Sequence, residues 1–157
     1  MKKTIIFSFL CLLMSSLAIG RTADPVKWDF SVKKINNTTY EVNLIATIEE
    51  PYHIYSQTTS TQASTPTSVR WEENRKVKLK GKLREIGELK TEYIEIINAT
   101  LAYYEDKVSF VQVVKVKGNL PVTLRGKINY TACKDEQCLP EKTVEFKHEI
   151  LSALEGK

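Results

Sequence analysis

The alternation of apolar and polar residues with a period of two is what most limits the fold of this chain. Side chains of a pleated strand switch faces at every residue, so Tyr40, Val42, Leu44, Ala46 and Ile48 line one face of a strand that must bury it. Trp28, Phe30 and Val32 line another just before them. Asn36-Asn37 stands between the two runs, and because asparagine tolerates positive φ the pair predicts a tight hairpin turn.

The pattern continues to the C-terminus. It predicts strands at His53 to Gln57, Val69 to Trp71, Val77 to Leu83, Leu101 to Tyr104, Val108 to Val116, Val122 to Tyr130 and Thr143 to Ile150. Gly118-Asn119 separates the two longest late runs in the manner of a hairpin. The polar stretch TTSTQASTPTS, Thr58 to Ser68, reads as a flexible surface connection, with a binding loop as the second reading. No long segment has helical periodicity, apart from a short turn around Leu151 to Leu154. Eight or nine short strands at this spacing predict an all-β chain, folded as an immunoglobulin-like antiparallel β-sandwich.

The N-terminus predicts export. Lys2 and Lys3 precede an apolar run from Ile5 to Ile19, followed by small residues at Gly20 and Ala23, the pattern of a cleaved secretory signal peptide over residues 1–23. An apolar run of about 15 residues is short of the roughly 20 that span a bilayer as a helix. Cys11 lies inside that run and leaves with it, so residues 24–157 are expected as one exported domain that does not insert into the membrane. Cleavage removes Lys2, Lys3 and Arg21 and no acid, so the formal charge falls from 23 − 19 = +4 to 20 − 19 = +1. A nucleic-acid partner is therefore not expected. NRKVKLKGKLR, residues 74–84, reads as a strand with a solvated basic face, since no aromatics interleave with its cations.

Chemistry concentrates in TACKDEQCLPE, residues 131–141, where four residues separate Cys133 from Cys138 between two alternating runs. Three readings stay open on the residues alone. A structural disulfide is common in exported proteins, but closing so short a loop stabilises by only about 2 kcal/mol in the chain-entropy picture. A redox-active pair is the second reading; Lys134 favours a thiolate at Cys133, whereas Asp135 and Glu136 oppose it, and there is no C-x-x-C. Such a pair would exchange with a partner's more reactive cysteine through a mixed disulfide. The third reading, a metal clip, lacks further ligands at a zinc spacing, and His53 and His148 read as ordinary surface or edge histidines. No cofactor is expected.

YTACKDEQCLPEKTV resembles the active-site hairpin of the N-terminal periplasmic domain of DsbD, a membrane thiol:disulfide interchange reductase. There too a cysteine pair precedes an apolar or aromatic residue and a proline, here Leu139-Pro140. EEPYHIYSQ, residues 49–57, is similar to the family's entry into an early strand, and AYYEDKVSFVQVV, residues 102–114, to its central tyrosine-to-strand stretch. The likeness runs over nearly all of residues 25–150.

The resemblance implies an immunoglobulin-like domain whose Cys133–Cys138 disulfide relays electrons, rather than an independent catalyst. The donor would be a membrane or thioredoxin-like oxidoreductase and the acceptors exported thiol proteins, including cytochrome c maturation factors, met through transient mixed disulfides. It also implies that Cys138 meets the partner, and that a cap loop near YIEIINA, residues 93–99, shields the pair. Glu95 would supply the acidic group there and Ile97 the shield, where the family has an aromatic, with Tyr93 as the alternative; Tyr130 is a further tuning candidate. On residues alone, YIEIINA reads as an edge strand or loop packing Ile94 and Ile96. The reading from another class is an exported sandwich that binds a protein or glycan through its loops, its disulfide merely closing a hairpin.

Overall fold

The computed structural model describes residues 24–135 and 137–151. The expected signal peptide, residues 1–23, lies outside the described residues, as does the turn expected beyond Leu151.

Strands make up nearly all of the regular structure. In chain order they are β1 (Val26–Lys34), β2 (Thr39–Ile48), β3 (His53–Tyr55), β4 (Ser68–Trp71), β5 (Val77–Gly87) and β6 (Lys90–Ile94). After a 3-10 turn at Glu95–Ile97 come β7 (Ala99–Tyr104), β8 (Lys107–Val116), β9 (Val122–Tyr130), β10 (Ala132–Lys134), β11 (Gln137–Cys138) and β12 (Lys142–Ile150). All described pairings are antiparallel. They build a four-stranded sheet in the order β1-β2-β8-β5, a three-stranded sheet β12-β9-β4 and a five-stranded sheet β11-β10-β3-β7-β6. The result is an immunoglobulin-like β-sandwich, as the alternation predicts.

The expected apolar faces meet in one core. Val42, Leu44, Val108, Phe110 and Val114 contribute from the four-stranded sheet, Leu124, Ile128 and Phe146 from the three-stranded one, and Ile54, Tyr104 and Ala132 from the five-stranded one. Trp28 meets Tyr130 at 5.4 Å between ring centroids, and Phe30 stacks on Phe146 at 5.5 Å, so aromatic pairs hold the two layers together. Each fully buried Val, Leu or Phe contributes about 1.5–3 kcal/mol of transfer free energy, which is what makes the period-two pattern decisive.

Several local expectations are corrected. The β1–β2 hairpin exists, but neither Asn36 nor Asn37 has positive φ; instead the Asn36 carboxamide oxygen accepts from the Thr38 amide at 3.1 Å, closing the turn with a side chain. Gly118-Asn119 closes no hairpin, because β8 and β9 belong to different sheets. The Thr58–Ser68 segment is not loose: the Thr59 hydroxyl accepts from the Ala102 amide at 3.0 Å, the Ser60 amide donates to the Thr100 carbonyl at 3.1 Å, and Thr59 and Thr67 are buried. Strands β10 and β11 come in addition to the expected set, while β6, an edge strand of its sheet, takes in Tyr93 and Ile94 of the segment read as an edge strand or loop. Ile96 is 96% exposed and packs on nothing, contrary to the apolar role expected for it. The basic stretch behaves as read from sequence: Lys78, Lys80, Lys82 and Arg84 are exposed on β5, which bulges between Lys80 and Arg84 at the positive-φ Gly81.

Candidate functional site

The cysteine segment is a continuation of the β9–β12 hairpin with its register shifted. Tyr130 pairs with Lys142, yet beyond Thr131 it is Cys133 that faces Cys138 and Lys134 that faces Gln137, with the Leu139 amide donating to the Ala132 carbonyl at 2.9 Å. Asp135 enters the turn at φ 49°, a conformation that a short polar side chain tolerates better than most. The two cysteines form a disulfide with Cα atoms 4.0 Å apart.

β10 is held on its other side by β3, where Ala132 pairs with Ile54 and Cys133 with His53. Directly opposed residues project from the same face of a sheet. Ala132, Ile54 and Tyr104 therefore turn into the main core, whereas Cys133, His53 and Tyr55 project from the opposite face. The disulfide is asymmetric: Cys133 is fully buried, and Cys138, on the edge strand β11, is exposed.

An aromatic group adjoins the pair. The His53 ring lies 5.3 Å from that of Tyr55 and 4.9 Å from that of Tyr103, and Tyr55 pairs with Tyr103 across β3 and β7. Burial pushes the His53 pKa below its ordinary value, against the opposite pull of Glu105, Asp135 and Glu92, so the imidazole is neutral at neutral pH. Glu105 itself is bound by Lys90.

The other residues singled out from sequence are placed as follows. Tyr130 is in the core, and its hydroxyl donates to Asp24 Oδ2 at 2.6 Å; burial, then the Asp24 carboxylate, pushes its pKa up. Tyr93 is exposed and donates to Asn98 Oδ1 at 2.5 Å, within its own segment. Glu95 opens the 3-10 turn and Ile97 closes it, both exposed. That turn follows β6, and β6 and β11 are the two edges of the same sheet. Among the described residues, no hydrogen bond or ring contact ties Tyr93, Glu95, Ile97 or Tyr130 to the cysteines.

Sequence reasoning missed two groups. His53 is brought to Cys133 by pairing across 80 residues, which no local pattern announces. Glu85 accepts from Ser56 Oγ at 2.6 Å, the Gln57 amide at 2.8 Å and the Tyr104 hydroxyl at 3.1 Å, and so ties β5 to the strands that support β10. Among the described residues, no three His, Cys, Asp or Glu side chains are grouped as metal ligands. A cleft of about 460 Å³ lined by Trp71, Glu72, Arg75, Leu79 and Arg125 contains neither cysteine. Exchange with a protein thiol needs an exposed sulfur rather than a cavity, and Cys138 is exposed.

The family model described as "Thiol:disulfide interchange protein DsbD, N-terminal" matches residues 22–150. The chain belongs to this family. Two solved structures agree with it in fold. The N-terminal periplasmic domain of ScsB from Proteus mirabilis has a TM-score of 0.55 at 11% identity, over 81% of this chain and 46% of that one. The DsbD N-terminal domain of Neisseria meningitidis, in its reduced form, has a TM-score of 0.51 at 12% identity, over 82% and 87%. The chain thus spans about half the length of the ScsB domain. No curated protein matches it in sequence. In a family of thiol:disulfide interchange domains, a cysteine pair with one open sulfur is the expected working part, and thiol:disulfide proteins are the general class of partner. Among the described residues no helix is long and apolar enough to cross a membrane.

Proposed function

We propose that this protein is a periplasmic electron relay, exported by its N-terminal segment, in which Cys133 and Cys138 alternate between disulfide and dithiol. The observation that carries the reading is the asymmetry of the pair, one sulfur open on an edge strand and its partner buried beneath it. In the reducing direction a thiolate of a membrane or thioredoxin-like donor attacks Cys138 Sγ. A partner–Cys138 bond forms, the Cys133–Cys138 bond breaks, and its electron pair leaves on Cys133. A second donor thiol then releases Cys138, and the dithiol passes two electrons to an exported thiol protein by the same steps in reverse. Burial of Cys133 supports its role as the resolving sulfur, since a protein partner reaches only Cys138. The apolar, exposed Ile96 and Ile97 beside Tyr93 support a role for the 93–97 segment as surface that such a partner covers.

The test is the equilibrium reduction potential of the pair, titrated against glutathione and dithiothreitol with thiol trapping. A relay lies between about −200 and −270 mV, in the range of exchanging thioredoxin-like partners. A potential well below about −300 mV would make the disulfide structural and overturn the reading.

A further inference from the structure

Resolving a mixed disulfide requires Cys133 as a thiolate, and Cys133 is fully buried. Burial disfavours the charged sulfur, and a thiol that is not ionised is a poor nucleophile. Lys134, the cation next in sequence, is exposed and pairs with Gln137 on the solvent side of the hairpin. Some other group has to take the proton.

The residue directly opposite Cys133 is His53, on the neighbouring strand and the same face of the sheet. Directly opposed side chains have Cβ atoms about 4.5–5.5 Å apart, within reach of an imidazole and a thiol. Cys138 occupies the other side of Cys133, so a row of sulfur, sulfur and imidazole crosses β11, β10 and β3. The ring contacts with Tyr55 and Tyr103 hold the imidazole, and half-burial leaves it a route to solvent.

We infer that His53 is the proton acceptor of Cys133 in disulfide exchange. The inference rests on the exchange reading above and assigns that site its base. With Cys138 bonded to a partner's sulfur, neutral His53 takes the proton of the Cys133 thiol. The thiolate attacks Cys138 Sγ, the Cys133–Cys138 bond forms, the bond from Cys138 to the partner breaks, and the electron pair leaves on the partner's sulfur. The imidazolium then returns its proton to water; in the reducing direction His53 takes a proton from water and delivers it to the Cys133 thiolate as that sulfur leaves.

The surroundings suit this task. Among the described residues, the charged groups facing His53 are Glu105 beyond the end of β7, Glu92 on β6 and Asp135 in the cysteine turn, with Lys90 bound to Glu105; the hydroxyl-bearing rings of Tyr55 and Tyr103 also adjoin it. The three carboxylates stabilise the imidazolium once formed, while burial keeps the resting ring neutral.

The test uses the reduced protein and Ellman's disulfide in a stopped-flow instrument. Attack by Cys138 releases one thionitrobenzoate, and resolution by Cys133 releases a second in a separate phase. In the wild type the second phase should level off by about pH 7, above the titration of His53. In His53→Phe, which keeps a ring against Tyr55 and Tyr103, it should slow at least about tenfold at pH 7 and keep rising with pH into the thiol range. His53→Gln, which hydrogen-bonds but takes no proton, should behave alike. The first phase should be unchanged in both. A second phase equally fast in both variants, or one that rises through the thiol range in the wild type, overturns the assignment. Release of a single thionitrobenzoate by the wild type defeats the exchange reading itself, a result distinct from an unchanged second phase.

Discussion

Cys133 and Cys138 face each other across a ladder of two residue pairs, and only Cys138 reaches solvent. In the reduced protein iodoacetamide should therefore modify Cys138 faster than Cys133 by roughly tenfold or more, since a buried thiol reacts only when its surroundings open. Peptide mass spectrometry over a time course measures both rates. Equal rates would mean that the burial of Cys133 does not survive reduction.

Removing the disulfide should cost little. Its ring is short, and the strands on either side are fixed by their own ladders, so Cys133→Ser with Cys138→Ser should lose about 2 kcal/mol or less in urea unfolding. A loss beyond about 4 kcal/mol would assign the bridge a structural role.

Glu85 is a polar clamp between sheets, accepting from Ser56, Gln57 and Tyr104. Glu85→Ala leaves the buried Ser56 and Tyr104 hydroxyls short of a partner and should cost about 2–3 kcal/mol. Glu85→Gln keeps the shape and part of the bonding and should cost less. Chemical denaturation of the two variants decides, and indistinguishable stability of Glu85→Ala and wild type would refute the clamp.

Asp24 binds the start of the sandwich to its core. Burial alone would raise its pKa, but hydrogen bonds from Tyr130 and Lys142 and from the Val26 amide outweigh burial and hold the carboxyl below its ordinary value. A depressed folded-state pKa contributes stability that is present above the unfolded value, about 3.9, and is lost as pH falls through the folded one. Asp24→Asn should thus unfold more easily than wild type at pH 7, by a margin that shrinks toward about pH 2. A margin independent of pH would place the effect in packing rather than charge.

Gly126 lets β4 and β9 approach closely. A Cβ there would stand 2.5 Å from both the Arg70 carbonyl oxygen and Phe146 Cζ, the first of which is backbone and cannot swing aside. Gly126→Ala should cost roughly 2–3 kcal/mol by overpacking, read as a fall in the urea midpoint. A neutral result would require the β4–β9 ladder to shift.

The strands were legible because their cause is local. Alternation at Tyr40 to Ile48 or Val122 to Tyr130 states which face is buried whatever the partner strand, and the spacing of such runs implies a sandwich. The cysteine pair was legible for the same reason, since five positions of separation suffice to bring the two sulfurs together. What the sequence alone could not state is pairing between distant strands. Gly118-Asn119 looks like a hairpin because local chemistry cannot tell a turn within a sheet from a crossing between sheets. The polar Thr58–Ser68 segment looks loose because its partners, Thr100 and Ala102, lie some 40 residues on. His53 is an unremarkable histidine until β3 docks on β10 and sets it against Cys133, and Glu85 sits in a basic strand until β5 meets the end of β3. By itself the sequence determined which faces are buried and that the two sulfurs lie within reach of each other. Tertiary structure alone decided which sulfur is exposed and what stands beside the buried one, because burial and register belong to pairs of strands that are remote in the chain.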